Sequence, residues 1–305
     1  MRSMHILVVN GRKVRQPVFV IGAPHSGTDL VARALKRSTG FHVTIGQPSV
    51  THVVYAFARK PSISRGREEA AASVLRDAFA QAWRLTPDGC STCSPACRLA
   101  GGVAGMAGTG EDPASPCVSE PSVARYGDAS PELLYCAEVL VDAFPDARFV
   151  QVIRDGRDVV AGMLGDSDTL TALRPGFANL EHEFPNPFLG VENEIDRAGW
   201  AELSLAGKCA MRWRSAVRMS ARLRYSLSAQ QLTTLRYEEI VSKPDIAAGL
   251  MSEFIGARVS AVALRDHYSH RALEPGAWRR TLSSEQATEV ESIAGAELRR
   301  VGYGD

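Results

Sequence analysis

The chain carries almost no net charge: 35 Lys and Arg stand against 34 Asp and Glu, a formal +1 over 305 residues. That balance excludes a strongly basic nucleic-acid binder, and no run of like charge marks a tail or a membrane patch. Long apolar runs are missing too. The opening MRSMHILVVNGRKVRQ is apolar without interruption only over residues 6–9, too short for a secretory leader or a membrane span, so a cytoplasmic protein without a membrane partner is expected. What remains is an ordinary globular composition, 45% apolar and 23% charged, long enough to bury a full core as one large or two small domains.

A further absence is a single lysine. Residues 17–32 read PVFVIGAPHSGTDLVA. The apolar, β-branched run 18–21 between Pro17 and Gly22 predicts a buried strand, and helical periodicity starts near Thr28 with Leu30, Val31, Ala34 and Leu35 on one face. Between them Gly22 and Gly27 let the backbone curl so that its N–H groups converge beside a helix N-terminus, an arrangement that favours phosphate. The glycine spacing fits the start of a G-x-x-x-x-G-K-S/T loop, but Thr28 stands where the lysine belongs, which disfavours an ordinary ATP or GTP site.

Elsewhere the pattern is mostly structural. Residues 4–9 predict an edge strand followed by a basic turn over 11–15, and Gly40 closes the first helix. FHVTIGQPSVTH, 41–52, reads as extended and turn-rich, with Gln47, Thr51 and His52 as its polar candidates. Helical spacing returns over 66–85 and over 200–227, where Arg212, Arg214, Arg218, Arg222 and Arg224 read as a solvated face rather than a nucleic-acid surface. Residues 87–117 are rich in Gly, Ala, Ser and Pro and hold Cys90, Cys93, Cys97 and Cys117, read as an insertion. Four thiolates could hold a structural zinc; free or oxidised cysteines are the alternative, since a second C-x-x-C pair is absent. The proline-rich segment 166–200 is long enough to form a lid or an acceptor wall.

The block from Tyr126, YGDASPELLYCAEVLVDAFPDARFVQVIRDGRDVVAGML, predicts a loop, a helix over 132–144, a strand over 148–153 and a helix from Asp158, with Asp158 as its cap. This βα alternation predicts a parallel sheet. Together with the first loop it resembles the PAPS-dependent sulfotransferases. Their 5′-phosphosulfate loop reads P-K/R-S-G-T-T/S, matched here by Pro24, Ser26, Gly27 and Thr28, with His25 in place of Lys or Arg and Asp29 in place of a hydroxyl residue. FPDARFV and RDGRDV are similar to the family's 3′-phosphate segment, RYEEIVSKPDIAAGLMSEFIG to its RYEDLV element, and PGAWRRTLSSEQ to its C-terminal element. Two further departures stand out: Gly162 where the family places a serine eight residues after the arginine, and Ala129 where bacterial members have lysine in G-E/D-K-S/T-P.

The resemblance implies an α/β fold, a central parallel sheet flanked by helices in one sulfotransferase-like domain over 1–305. It implies sulfuryl transfer from PAPS to a hydroxyl or amine of a small-molecule acceptor, in specialised metabolism. The backbone of 26–29 would hold the 5′-phosphate, Arg154 with Arg279 or Arg280 the 3′-phosphate, and Tyr237 and Trp278 would lie beside the nucleotide. His25, as the leaving-group acid, and His52 or Asp128, as the base, are the candidate catalytic residues; Asp128 could equally cap the helix after Pro131. Because His25 and Asp29 change the donor loop, two alternatives stand: a sulfotransferase-fold nucleotide binder without transfer chemistry, and a different nucleotide-linked transferase.

Overall fold

The computed structural model describes residues 6–86, 93–101, 117, 118, 120–130, 132–265 and 274–304. A two-residue hairpin, β1 (Val8–Val9) with β2 (Arg12–Lys13), lies apart from the main sheet, so the expected edge strand is a separate hairpin turned through Asn10 and Gly11. The main sheet has five parallel strands in the order β4 (Phe41–Thr44), β5 (Arg125–Asp128), β3 (Val18–Gly22), β6 (Arg148–Ile153) and β7 (Leu232–Arg236). β3 is central and buried along its whole length, as its unbroken apolar run requires of a strand covered on both faces.

Alternate residues of β3 serve two cores. Phe19 and Ile21 face one side, where Phe19 meets Phe79, Phe144 and Phe149 at ring distances of 5.1, 5.4 and 5.7 Å. Val18 and Val20 face the other, with Val150 and Val152 of β6. The second face is covered by α1 (Thr28–Lys36), which follows β3 at once and buries Leu30, Val31, Ala34 and Leu35 there. The first is covered by α2 (Pro48–Arg59) and α3 (Glu68–Ala82). Within the cysteine-rich stretch, α4 (Pro95–Gly101) returns to the α1 face.

α5 (Ala137–Ala143) is shorter than the predicted helix because Glu132, at φ 71°, leaves the helical region and residues 133–136 form a 3-10 turn. α6 (Gly156–Leu164) is capped by Asp155, whose carboxylate accepts from Arg157 N at 2.9 Å, and not by Asp158. The 166–200 segment folds into α7 (Ser167–Ala172), α8 (Pro175–Ala178) and α9 (Glu194–Gly199). α10 (Leu205–Ser226) then crosses the first face with thirteen of its twenty-two residues buried. The expected solvated arginine face is wrong in its centre: Arg212 is 1% exposed, paired with Glu132 and stacked 4.0 Å from the Phe188 ring, because only such partners let a guanidinium sit in a core. After β7 come α11 (Tyr237–Ser242), α12 (Pro244–Ile255), α13 (Val262–Arg265), α14 (Trp278–Thr281) and α15 (Ser284–Arg300). The Ser283–Gln286 capping box forms as its spacing predicts.

Strand order reverses at β3, whose chain leaves towards β4 while β6 lies on its other side. In a parallel sheet that point opens a crevice at the carboxyl ends of the strands.

Candidate active site

The loop 23–27 closes that crevice, and two glycines let it do so. A Cβ on Gly22 would lie 2.5 Å from Ser26 Oγ and 2.7 Å from the Val152 carbonyl oxygen. Gly27 has φ 98° and would place a Cβ 2.3 Å from the Tyr237 ring, so only glycine lets the loop lie on that ring. Gly27 is also the N-cap of α1 and supplies no side chain to the first turn. Ser26 is 1% exposed, and its hydroxyl has no hydrogen-bond partner among the described residues. Asp29 is exposed and forms a 3.1 Å ion pair with Arg33 one turn on, which compensates part of its charge beside the loop.

His25 is held by two groups that its sequence neighbourhood does not announce. Its Nε2 lies 3.3 Å from Asp166 Oδ2, and its ring covers Gly162, where an added Cβ would approach the His25 Cβ, Cγ and Nδ1 to 2.9, 3.0 and 3.2 Å. Two of the family departures are thus a single packed contact: with His25 in this position, a serine at 162 has no room. Burial alone would raise the Asp166 pKa, but hydrogen bonds from Thr169 Oγ1 (2.6 Å) and Asp168 N (3.1 Å), with His25 beside it, hold it below the usual carboxylate range. Asp166 is a site residue that the sequence analysis missed. It stands 141 positions from His25 in a turn-rich segment, and nothing in the loop's own residues pointed to it.

The residues expected at the 3′-phosphate form a second, connected group. Arg154 is 2% exposed; its guanidinium lies 4.3 Å from the Tyr237 ring, donates to the His25 carbonyl at 3.2 Å and sits 3.8 Å from Asp158. Asp158, freed from capping, accepts from Gly276 N at 2.7 Å and Trp278 N at 2.8 Å, tying α14 to α6. Trp278 stacks 4.4 Å from the Arg157 guanidinium and 4.6 Å from that of Arg279. Arg279 and Arg280 are exposed, and Arg280 pairs with Glu274 at 2.9 Å.

In front of the loop opens a cleft of about 620 Å³, bounded by Pro24, His25, Gly27, Thr28 and Asp29 on one side and by residues of α2, α7 and the 129–133 segment on the others. The 166–200 segment contributes Asp166, Asp168, Thr169 and Phe188 to this wall. Neither sequence candidate for the base does. His52 lies on the exposed side of α2, where Thr51 and Tyr55 take the cleft positions, because 48–59 is a helix: Pro48 sits in its first turn and Gln47 caps it from Ser49 N at 2.9 Å. Asp128 is fully buried beneath the floor and does not line the cleft. Thr44 Oγ1 and Ser130 N donate to it at 2.5 and 2.6 Å, and burial pushes its carboxyl up to about 7 against those bonds.

The described cysteines do not assemble as a metal site. Cys90 lies outside the described residues, and among the described residues no group of three His, Cys, Asp or Glu side chains is placed to hold an ion, so the zinc expectation finds no support. Cys117 instead accepts from Lys36 Nζ at 3.1 Å. The Cys97 thiol is brought down to about 6, by its hydrogen bond with Cys93 above all and by Lys36, against its burial. Among the described residues no helix is long and apolar enough to cross a membrane.

A model of the sulfotransferase family matches residues 17–179. No curated protein matches the chain in sequence. Among solved structures it is similar to the sulfotransferase domain of the Synechococcus PCC 7002 olefin synthase (14% identity, 97% of each chain, TM-score 0.49) and to a sulfotransferase from Alicyclobacillus acidocaldarius (15% identity, 96% of this chain and 97% of that one, TM-score 0.47). Mouse sulfotransferase SULT7A1 complexed with PAP is similar at 13% identity over 98% of this chain and 91% of that one, with a TM-score of 0.45. The family match covers more than half of the chain, including the glycine loop, the cleft floor and the arginine after β6, and on it the protein belongs to the sulfotransferase family.

Proposed function

We propose that the protein transfers a sulfuryl group from PAPS to a hydroxyl or amine of a small molecule held in the cleft. The supporting observation is the loop itself: its turn rests Gly27 on Tyr237 and presents Gly27, Thr28 and the start of α1 to the cleft. The N–H donors there suit the phosphate that carries the sulfuryl group. The reaction breaks the S–O bond to that phosphate and forms an S–O or S–N bond to the acceptor, whose proton passes to a base on the cleft wall. The chain's task is to align the two groups and to neutralise charge on the departing oxygen. His25, its Nε2 directed to Asp166, is the loop residue assigned to meet that charge in this reading.

One observation favours a second reading, a nucleotide binder without transfer chemistry. Arg154 is buried, and its guanidinium is already engaged with the His25 carbonyl, the Tyr237 ring and Asp158. Calorimetric titration with PAP, alongside ADP, which lacks the 3′-phosphate, tests the donor site. Micromolar PAP with much weaker ADP is the expected result, and equal affinities overturn the PAPS assignment. PAP selectivity with no turnover of PAPS across an acceptor panel would favour the second reading.

A further inference from the structure

The far end of the cleft has a chemistry of its own. Four carboxylates line the cavity (Asp29, Glu132, Asp166, Asp168) against two basic side chains, His25 and Arg212. Both bases are spoken for, His25 by Asp166 and Arg212 by Glu132. The Arg212 pair uses only Glu132 Oε1. Glu132 Oε2 is buried and has no hydrogen-bond partner among the described residues. Thr51 Oγ1 shares that condition, and Ser130, 4% exposed, directs its hydroxyl proton to Asp128 and keeps its oxygen able to accept; both residues line the cavity. Buried oxygens left without donors cost free energy unless a ligand supplies the donors, and a carboxylate oxygen only accepts. Beside them Phe188 and Tyr55 meet edge to face at 5.9 Å and give that end an apolar wall.

We propose that the acceptor is an apolar or aromatic amino alcohol whose protonated amine is anchored at Glu132 Oε2, with Ser130 and Thr51 taking its remaining N–H donors. A protonated amine has no lone pair and cannot attack sulfur, so the sulfated group is a second one, a hydroxyl on the same molecule, directed at the glycine loop. With Asp29 paired to Arg33, the surplus is the single charge of Asp168 at the mouth, which disfavours anionic acceptors. This rests on the sulfotransfer reading, but anchoring of the amine is a binding property and is measured without turnover.

The test is calorimetry with phenols that differ chiefly in the charge of the tail: tyramine (cationic), 4-ethylphenol with its larger homologue 4-propylphenol (neutral) and 3-(4-hydroxyphenyl)propionate (anionic), each titrated into the protein alone and saturated with PAP. Tyramine should bind about tenfold tighter than 4-ethylphenol, a difference of about 1.4 kcal/mol, with the propionate weakest. Glu132→Gln should remove that preference. Because Glu132 also compensates buried Arg212, Asp168→Asn on the exposed mouth gives a variant whose folding is not at stake, and it should narrow the preference about two- to threefold, roughly one screened charge contact. Equal binding of the phenols, preference for the propionate, absence of tyramine binding at millimolar concentration, or an unchanged preference in both variants overturns the proposal. Failure of PAP to bind while the tyramine preference persists would sink the donor assignment and leave the amine site standing.

Discussion

If His25 and Gly162 are one packed unit, they should not be separable by mutation. Gly162→Ser introduces a Cβ at 2.9 Å from the His25 Cβ, 3.0 Å from Cγ and 3.2 Å from Nδ1. Carbon atoms attract best near 3.5–4.0 Å, so all three contacts are repulsive, and the neighbour that must yield is a loop residue already at φ 64°. Overpacking of this kind costs about 1–3 kcal/mol, and the loop should move with it and weaken PAP binding. His25→Lys exchanges the flat ring for a flexible chain, which removes the Nδ1 contact, keeps the Cβ contact and lets the unbranched Cγ rotate away. The double variant His25→Lys/Gly162→Ser should therefore recover about half of the loss, a coupling of about 1 kcal/mol. Urea unfolding of the four proteins in the cycle measures the stability and PAP calorimetry the site. Additivity within about 0.5 kcal/mol in both would refute the packing argument.

Two other perturbations read the loop and the buried carboxylate beneath the cleft. For His25, the rate should survive better in His25→Lys than in His25→Ala, and Asp166→Asn should alter the pH profile of kcat while leaving the acceptor KM largely in place; equal losses in the two His25 variants would remove its role. For Asp128, the folded carboxyl at about 7 lies above its unfolded value near 4, so the folded chain keeps a proton that the unfolded chain has released. The associated stability is fully present below about pH 4 and is lost as pH rises to about 7, at most about 4 kcal/mol at 1.36 kcal/mol per unit. Asp128→Asn should flatten that decline in urea melts across this range, and an unchanged slope would place the titration elsewhere.

What the sequence disclosed follows the range of the interactions involved. β3, β6, α1 and the capping box at Ser283 depend on neighbours within a few residues, and all four are legible in apolar runs and cap spacing. β5 is not: RYGD is short, polar and glycine-containing, and it is a strand only because β4 and β3 flank it. α2 hides behind Gly46 and Pro48, which read as loop yet serve as its approach and its first turn. Arg212 looked solvated because the helical pattern shows that a face is charged but not what the face meets; Glu132, 80 positions away, is what permits its burial. Asp158 carried a correct signal for the wrong partner, since capping was within reach of Asp155 and the free amides of 276 and 278 were not visible in the chain.

The altered donor loop illustrates the same limit from the side of function. Taken separately, histidine for a basic residue, glycine for serine and an aspartate next to a phosphate loop each subtract from a donor site. In the fold they share partners: His25 lies over Gly162, Asp166 takes its Nε2, and Asp29 is bound to Arg33. A site that had simply lost its chemistry would have no reason to keep Gly27 seated on Tyr237, Asp158 bridging to α14, or a buried Ser26 hydroxyl turned to no protein partner among the described residues. The unpartnered hydroxyl and the positive-φ glycine cost stability or constrain the backbone without improving the core, as binding sites commonly do. The replacement of a cationic chain by a histidine tethered to Asp166 is thus one connected rearrangement, and PAP titration rather than the packing cycle separates a rebuilt donor site from one in decay, because the steric contact of His25 with Gly162 is the same in both.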